Sequence, residues 1–531
     1  MIRQQIKQIL NISGAEVAKT ENENLGDYFS SAALKKARTE NKNPQDIAQE
    51  IKASIEAKNS GLFDKIEIAG PGFLNFFLSE NSLQKELKNI LAQGEKYGVI
   101  DSGQGRKVQI EFISANPTGP LTLGNGRGGF FGDALANVLA TAGYDVKREY
   151  LVNDAGYQVE VLGHSVLKDD KAQYKGEYID LLNKKLIGWF SSRNSKKIGQ
   201  KAADDILKNL IQPTIKDRMK IKFDAWVSEK ALRESDTLDK VFQVLKDKNL
   251  VYEQNGATWF KSTEFGDDKD RVLITSKESE RPGEMTYLLP DIAYHYQKFI
   301  ENKFDLVIDI WGADHHGYIA RLQAAGQALG AWDEDKLKIV IMQLVRLIQN
   351  GQEVKMSKRA GTFITLDEVL DEIPLDVARW FFLARSPETH MDFDLDLAKQ
   401  QSEKNPVYYA QYAYARLSSI LRKSKPSLNL PLLKGEKERG LLSHPSELSL
   451  LKQLIRLPEI VEDTAQDFQV HRLPQYALDL VRSFHKFYED CRVIDENNKD
   501  LTQARLALCE ATRIVLKNTF DLMGISAPEK M

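Results

Sequence analysis

The stretch EFISANPTGPLTLGNGRGGFF (111–131) decides the fold, because the chain changes from strand to helix within it. The overlapping run KVQIEFIS (107–114) is rich in β-branched and apolar residues, which predicts a buried strand. A loop rich in proline and glycine follows, and the periodicity predicts a helix from about 126 to 142. DVKREYLV (145–152) predicts a second strand. This order of elements indicates a parallel βαβ unit.

The glycines of this stretch admit more than one interpretation. Gly124, Gly126 and Gly129 spell G-x-G-x-x-G, and Glu149 follows 20 residues later, as in a dinucleotide-binding fingerprint. In that fingerprint the first glycine follows the strand directly, whereas nine residues, ANPTGPLTL, intervene here. A loop that packs closely remains possible. The interpretation we favour is a helix start whose backbone N–H groups bind ATP phosphates.

Further along the chain, two apolar runs extend the strand–helix alternation. FDLVIDIW (304–311) and KLKIVIMQLV (336–345) are typical of buried parallel strands, so we expect a doubly wound α/β sheet. A polar, lysine-rich region at about 165–285 predicts an insertion between the two halves of the sheet. The turn-rich DSGQGR ends a small α/β unit over 1–105, and the periodicity of 396–531 predicts helices throughout.

Composition excludes several classes of protein. Of the 531 residues 42% are hydrophobic and 28% charged, which is ordinary for a globular chain. Two cysteines, Cys491 and Cys509, exclude a disulfide scaffold and a cysteine-rich zinc site. No apolar run approaches the roughly 18 residues of a membrane helix, and the N-terminus lacks a signal-peptide core. We therefore expect a cytoplasmic protein whose net charge of −3 still permits a local basic face.

A second segment supplies positive charge. EVKMSKRAGTF (353–363) follows the last predicted parallel strand and carries Lys355 and Lys358. On its own this is most simply a solvated basic turn. Combined with the glycine-rich stretch, the two lysines could neutralise charge on ATP phosphates as pyrophosphate leaves.

Together these residues resemble the class I aminoacyl-tRNA synthetases, and specifically the bacterial type of arginyl-tRNA synthetase. The stretch SANPTGPLTLGNGRG (114–128) is similar to the first signature of that family and KMSKRAGTF (355–363) to the second. Further stretches that resemble the family are YLVNDAG (150–156), GDDKDRVLI (266–274), TYLLPDIAYH (286–295), GADHHGYIARL (312–322), MDFDLDLAKQQSEKNPVYYAQYAYARL (391–417) and APEKM (527–531).

The resemblance implies a fold and an activity. The fold is an α/β, Rossmann-like parallel sheet with an insertion (106–395), preceded by a small α/β tRNA-binding domain (1–105) and followed by an all-α anticodon-binding bundle (396–531). The activity is the ATP-dependent conversion of L-arginine to arginyl-adenylate and its transfer to the 3′ end of tRNA(Arg). Mg²⁺ is expected on the phosphates, no structural zinc or other metal site in the protein, no membrane partner, and a monomeric state.

One departure from the family concerns the first signature. Its usual His-x-Gly-His tetrapeptide is Thr122, Leu123, Gly124 and Asn125 here, so both histidines that donate to ATP phosphates in the family are replaced. A threonine hydroxyl and an asparagine amide can each donate a hydrogen bond. We expect that they substitute and that the enzyme is active. The alternative is a catalytically impaired, synthetase-like tRNA-binding protein.

The remaining site residues follow from the resemblance, position by position. The catalytic set is Thr122, Gly124, Asn125, Lys355 and Lys358. The ATP-binding set is Pro117, Leu123, Gly126, Gly312, Asp314, Met356 and Ser357. The arginine-binding set is Glu111, Ser114, Asn116, Tyr287, Asp291 and His315, with Asp291 and Tyr287 on the guanidinium. The tRNA-binding set is Tyr409, Tyr412 and Met531, although tyrosines at helical spacing more often pack a core.

Overall fold

The computed structural model describes residues 1–58, 60–186, 188, 194–279, 282–354, 364–424 and 441–531. The second signature, 355–363, and with it Lys355, Met356, Ser357 and Lys358, lies outside the described residues. Among the helices that are described, none combines the length and the apolar character needed to cross a bilayer.

The N-terminal part is a four-stranded antiparallel sheet covered by helices, in the order β1-β2-β4-β3. Phe63–Ala69 and Phe73–Leu78 pair in antiparallel across the GPG turn at 70–72. The next helix is capped by Ser79, whose Oγ accepts from Ser82 N–H. The elements are α1 (Ile2–Leu10), β1 (Val17–Lys19), β2 (Tyr28–Ser30), α2 (Ala32–Glu40), α3 (Pro44–Lys58), β3 (Phe63–Ala69), β4 (Phe73–Leu78) and α4 (Glu80–Gln93).

The central part is a five-stranded, fully parallel sheet in the order β12-β11-β5-β6-β7. The strands of this part are β5 (Lys107–Glu111), β6 (Asp145–Val152), β7 (Ala225–Ser228), β8 (Val251–Gln254), β9 (Ala257–Phe260), β10 (Arg271–Ile274), β11 (Leu306–Gly312), β12 (Leu337–Met342), β13 (Val345–Gln349), β14 (Gln352–Glu353) and β15 (Met391–Asp394). The predicted doubly wound sheet is therefore present, and the strand order reverses between β5 and β11. Ligands of such sheets bind at the carboxyl ends of the two strands at this point.

One strand of the sheet corrects the prediction of an uninterrupted insertion. β7 lies within 165–285, yet it pairs in parallel with β6 as the edge of the central sheet. The antiparallel sheet β10-β9-β8 is separate from it and packs on a second hydrophobic core with α10, α11 and α12. The helices are α5 (Leu123–Thr141), α6 (Tyr157–Leu167), α7 (Glu177–Leu186), α8 (Ser195–Ile206), α9 (Glu229–Arg233), α10 (Asp236–Asp247), α11 (Leu288–Tyr296), α12 (Ile319–Leu329), α13 (Leu366–Glu372), α14 (Leu375–Leu383) and α15 (Leu395–Ala398).

The C-terminal part is helical, as predicted, and the large core runs continuously from it through the central sheet to the N-terminal sheet. Pro445–Leu454 and Leu457–Asp467 are separate helices, because the chain turns at Ile455–Arg456 and Pro458 lies in the first turn of the second helix. Proline is tolerated in a first helical turn but not in a helix interior. The helices are α16 (Pro406–Lys423), α17 (Pro445–Leu454), α18 (Leu457–Asp467), α19 (Arg472–Asp490) and α20 (Lys499–Met523).

Candidate functional site

A cavity of about 360 Å³ opens where the strand order reverses. Its walls come from four separate parts of the chain: the loop after β5, the start of α5, the end of β11 and the segment after β12. Six of the residues predicted for catalysis or ATP binding line it, namely Thr122, Leu123, Gly124, Asn125, Gly312 and Asp314. Two other predicted residues are not part of the lining: Pro117 is buried, and the exposed side chain of His315 lies 3.6 Å from the exposed carboxylate of Asp314.

Helix α5 begins at Leu123, three residues before the predicted start, because Thr122 caps it. Thr122 and Asn125 form a capping box: Asn125 Oδ1 accepts from the Thr122 backbone N–H at 3.0 Å and from its hydroxyl at 2.8 Å. An N–H can only donate, so the atom that faces it must be the amide oxygen. The Thr122 hydroxyl hydrogen is used within this box. The amide nitrogen, Nδ2, is then the donor that Asn125 can offer a ligand.

The glycines of the first signature have different surroundings. A Cβ atom at Gly124 would meet nothing nearer than the Thr122 Oγ1 at 3.8 Å, so a ligand can approach the backbone there. A Cβ at Gly126 would lie 2.7 Å from Leu366 Cδ1. Gly126 therefore allows the signature helix to pack closely against α13, and its predicted role in ATP binding stays a prediction. The bland interpretation, close packing, holds for this glycine but not for Gly124.

The signature helix is also tied to the opposite wall of the cavity. Arg127 is fully buried and donates to the carbonyls of Gln343 at 2.7 Å and Ser386 at 2.8 Å. Burial lowers the pKa of its guanidinium to about 10. Its partners are neutral carbonyls, so a buried positive charge lies one helical turn from the cavity lining.

The described residues that follow the second signature reach the same cavity. Ile364 lines the cavity, and Thr365 forms a β-bridge with Thr122. The chain therefore leaves the second signature next to the first. On the preceding side, Val354 N–H donates to Leu347 O of β13.

The loop after β5 is held by internal hydrogen bonds. Glu111 is buried, and its two oxygens accept from Ser114 Oγ at 3.0 Å and from Lys298 Nζ at 2.7 Å. Ser114 Oγ also accepts from Leu151 N–H, and Asn116 is exposed. Ile113 and Ser114 have φ values of 67° and 33°, a conformation that is costly for a β-branched residue. Glu111 and Ser114 are thus part of a strained, cross-braced loop.

Asp291 and Tyr287 stand one helical turn apart, as predicted, at the start of α11. Tyr287 is 47% exposed, and its hydroxyl lies 3.7 Å from the position of a Cβ on Gly156. Burial, with smaller contributions from the charges of Glu229 and Glu111, raises the pKa of the Asp291 carboxyl to about 6. A hydrogen bond from the Tyr318 hydroxyl and the charge of His295 oppose this rise. A carboxylate with this environment is stabilised by a cation placed beside it.

Glu229 is an acidic residue that the sequence interpretation missed. It is the first residue of α9, directly after β7, and only 7% of it is exposed. Burial raises the pKa of its carboxyl, and Arg233 opposes that rise through a hydrogen bond of 2.7 Å. The available signal was its place after a strand at the carboxyl edge of the sheet. The predicted insertion at 165–285 includes β7, so the sequence alone does not place Glu229 at the edge of the central sheet.

A second, larger cavity of about 950 Å³ lies on the C-terminal helices and is lined by Tyr412 and Met531. The Arg416 guanidinium lies between two rings, 5.0 Å from the centroid of Tyr412 and 5.3 Å from that of Tyr488. Tyr409 is different: it stacks on His485 at 5.1 Å and packs against the core. The structure therefore shows a packing role for Tyr409, and its contact with tRNA stays a prediction.

Three family models match the chain in sequence. The "Arginyl tRNA synthetase N terminal domain" covers 1–78, the "tRNA synthetases class I (R), catalytic domain" covers 86–184 and 194–381, and the "DALR anticodon binding domain" covers 410–531.

Within the described residues no cluster of three or more His, Cys, Asp or Glu side chains is arranged to hold a metal ion.

Known proteins agree with these models. The arginine–tRNA ligase of Bacillus velezensis is 44% identical over 95% of this chain and 92% of its own length. That of Bacillus licheniformis is 41% identical over 100% of this chain and 98% of its own. The arginyl-tRNA synthetase of Thermus thermophilus has the same fold, with a TM-score of 0.78 at 22% identity over the whole of both chains. The chain belongs to the arginyl-tRNA synthetase family.

Proposed function

We infer that this chain is an active arginine–tRNA ligase, which forms arginyl-adenylate from L-arginine and ATP and transfers the arginyl group to tRNA(Arg). The observation that carries this is the juxtaposition of two sites. A cavity that exposes helix N–H groups lies at the switch point of the sheet, and a cluster of acidic groups, Glu111, Glu229 and Asp291, lies at the same carboxyl edge. The first suits phosphates and the second suits a guanidinium.

The adenylate step requires no nucleophile from the protein. The arginine carboxylate attacks the α-phosphorus of ATP, the bond to the β-phosphate oxygen breaks, and pyrophosphate leaves. The contribution of the protein is then orientation and stabilisation of charge. The Asn125 amide donates Nδ2 to a phosphate oxygen, and Thr122 positions Asn125 instead of donating itself. Lys355 and Lys358 approach the leaving phosphates, as in the family, and Mg²⁺ accompanies ATP because phosphate oxygens are its preferred ligands.

The substrate side chain is recognised by carboxylates. Asp291 accepts from the guanidinium, Tyr287 packs along it, and Glu229 adds a second negative charge. Fork-shaped donors distinguish arginine from lysine, since planar bidentate bonds need two parallel N–H groups. Glu111 and Ser114 belong to the braced loop after β5, and this loop forms the end of the arginine site that holds the α-amino group.

The tRNA is bound by aromatic and basic groups of the C-terminal helices. Tyr412 and Tyr488 form a stacking surface around Arg416, on which unpaired anticodon bases stack. Affinity for tRNA should fall steeply between 50 and 200 mM salt, because phosphate contacts release counterions. An affinity that does not change with salt would contradict this interface.

We further propose that the enzyme is a cytoplasmic monomer. Sedimentation velocity measures its oligomeric state.

Two assays test the function. Arginine-dependent ATP–pyrophosphate exchange, with and without bulk tRNA, reports adenylate formation, and charging of that tRNA with labelled arginine reports transfer. Lysine serves as the control amino acid. We expect both reactions with arginine and neither with lysine. A protein that binds tRNA but gives no exchange with arginine, ATP and tRNA would instead be the catalytically impaired RNA-binding alternative.

A further inference from the structure

A buried ionic cluster connects the two ends of the arginine pocket, and its centre is Lys298. Only 1% of this residue is exposed. Its Nζ donates to Glu111 Oε2 at 2.7 Å and to Asp309 Oδ1 at 2.9 Å. Glu111 ends β5 and Asp309 lies in β11, the two strands at the switch point. One ammonium group therefore joins both strands to the helix that carries Lys298.

That helix also carries the residue predicted to bind the guanidinium. α11 continues as the π-helical turn Gln297–Glu301, which contains Lys298. Asp291, His295 and Lys298 follow one another at spacings of four and three residues, so they share a face. His295 connects Asp291 to Asp309: its Nδ1 is 2.8 Å from Asp291 O and its Nε2 is 2.7 Å from Asp309 Oδ2. Asp309 in turn accepts from Lys298, so all three residues of this face belong to one cluster.

The charges in the cluster compensate one another. Although burial opposes it, the charge of Lys298 holds the pKa of Asp309 down at about 2. Lys298 also lies 4.1 Å from the ring centroid of Tyr294, whose hydroxyl donates to Glu149 Oε1 at 2.6 Å. Apolar residues can often replace such a buried ion pair without loss of stability. Stability alone therefore does not account for charged groups here, whereas directional bonds between helix and strands do fix a geometry.

Resting on the proposed function, we propose that Lys298 is a positioning residue that sets the distance between the two ends of the arginine pocket and so selects for the length of the side chain. Glu111 belongs to the end that holds the α-amino group, and Asp291 to the guanidinium end. The two are near enough for the charge of Glu111 to act on Asp291. With α11 locked to β5 and β11, this distance is constant. An analogue one methylene longer or shorter then cannot occupy both ends.

The test compares Lys298→Met and Lys298→Gln with the wild type in pyrophosphate exchange, with arginine and with homoarginine, which is one methylene longer. Wild-type exchange with arginine tests the proposed function, and the variants test the role of Lys298. We expect the KM for arginine to rise at least tenfold, the KM for ATP to stay within twofold, and the preference for arginine over homoarginine to fall at least fivefold. Glutamine retains two donors, so this variant should lie between methionine and the wild type.

Arg505→Met is the matched control. It breaks another buried ion pair, with Glu447 at 2.7 Å, in the helical domain. It should lower Tm and leave the KM for arginine unchanged. The proposal is overturned if folded Lys298 variants keep the wild-type KM and the wild-type preference. It is also overturned if all kinetic parameters fall in parallel, or if both variants fail to fold, because Lys298 would then serve stability only.

Discussion

The two sides of the cleft handle charge in opposite ways. On the side proposed to bind ATP, the described lining is mostly neutral: a capping box, backbone N–H groups and an open glycine, with Asp314 as its acidic residue. On the arginine side, carboxylates crowd around α11, and two aspartates there differ sharply. Asp309 contacts Lys298 and His295 and has a pKa lowered to about 2, whereas burial raises the pKa of Asp291 to about 6. This difference supports the proposal that Asp291 binds a cationic ligand.

The largest expected effect on activity comes from removing the negative charge of Asp291. Asp291→Asn keeps the shape and loses the charge, so kcat/KM for arginine should fall by about 2–5 kcal/mol, or roughly 30- to 4000-fold. Tm at pH 8 should rise, because a buried carboxylate is replaced by a neutral amide. Exchange kinetics and thermal melts measure the two effects. The gain in Tm should vanish below pH 4, where Asp291 is protonated in both folded and unfolded chains. A variant that loses stability and keeps its activity would contradict this assignment.

The ATP side can be tested with a similarly conservative change. Asn125→Asp keeps the oxygen that accepts from Thr122 and removes the amide donor, so the helix cap survives while the phosphate contact is lost. We expect kcat for exchange to fall about 100-fold or more, as for other oxyanion donors, with Tm unchanged. Thr122→Ser, which retains the hydroxyl, is the control and should keep most of the activity. Full activity in Asn125→Asp would exclude the amide as a donor.

A third test uses pH instead of substitution. Asp291 must be ionised to bind a guanidinium, and its pKa of about 6 is above the usual range because of burial. The affinity for arginine should therefore rise about tenfold for each pH unit below 6 and level off above it. For folding, the sign is the reverse: the free energy of unfolding falls as pH rises from about 4 to 6, since the folded chain keeps the proton longer. Calorimetric titration with arginine between pH 5 and 8 measures the first effect, and Asp291→Asn should abolish it.

The smallest expected effect separates packing from ligand contact within the first signature. Gly126→Ala would place a Cβ 2.7 Å from Leu366 Cδ1, and overpacking of this kind costs about 1–3 kcal/mol. Tm should fall by a few degrees, and the KM for ATP should change little. Gly124→Ala, which meets no such neighbour, should do the reverse. If Gly126→Ala raised the KM for ATP and kept its Tm, the role of this glycine would be ligand binding after all.

The sequence predicted the long elements and missed the short ones, for physical reasons. β11 and β12 correspond to apolar, β-branched runs of ordinary strand length, so their pattern is clear. β7 has four half-buried residues at the sheet edge, and such a strand has little alternation to detect. Glu229 was lost with it. The start of α5 was placed too late because glycines, poor helix formers, follow a Thr-x-x-Asn cap that only their hydrogen bonds reveal.

Other aspects of the site depend on contacts that no spacing encodes. Lys298 is 187 residues from Glu111 and 11 from Asp309, and sheet topology alone brings them together. The domain boundaries at 105 and 395, and the roles of Lys355 and Lys358, stay predictions.

The capping box at the start of α5 also constrains the order in which mutations could restore the two family histidines. Changing Asn125 to His first would remove the oxygen that receives both donors of Thr122, and only the bond from the backbone N–H of residue 125 to the Thr122 hydroxyl would remain of the capping box. Changing Thr122 first is different, because an imidazole can cap a helix in this protein: His444 accepts from Ser446 N–H at the start of α17. We therefore expect Thr122→His to lower the stability of the protein less than Asn125→His does. The effect of a histidine at one of these positions should also depend on which residue occupies the other.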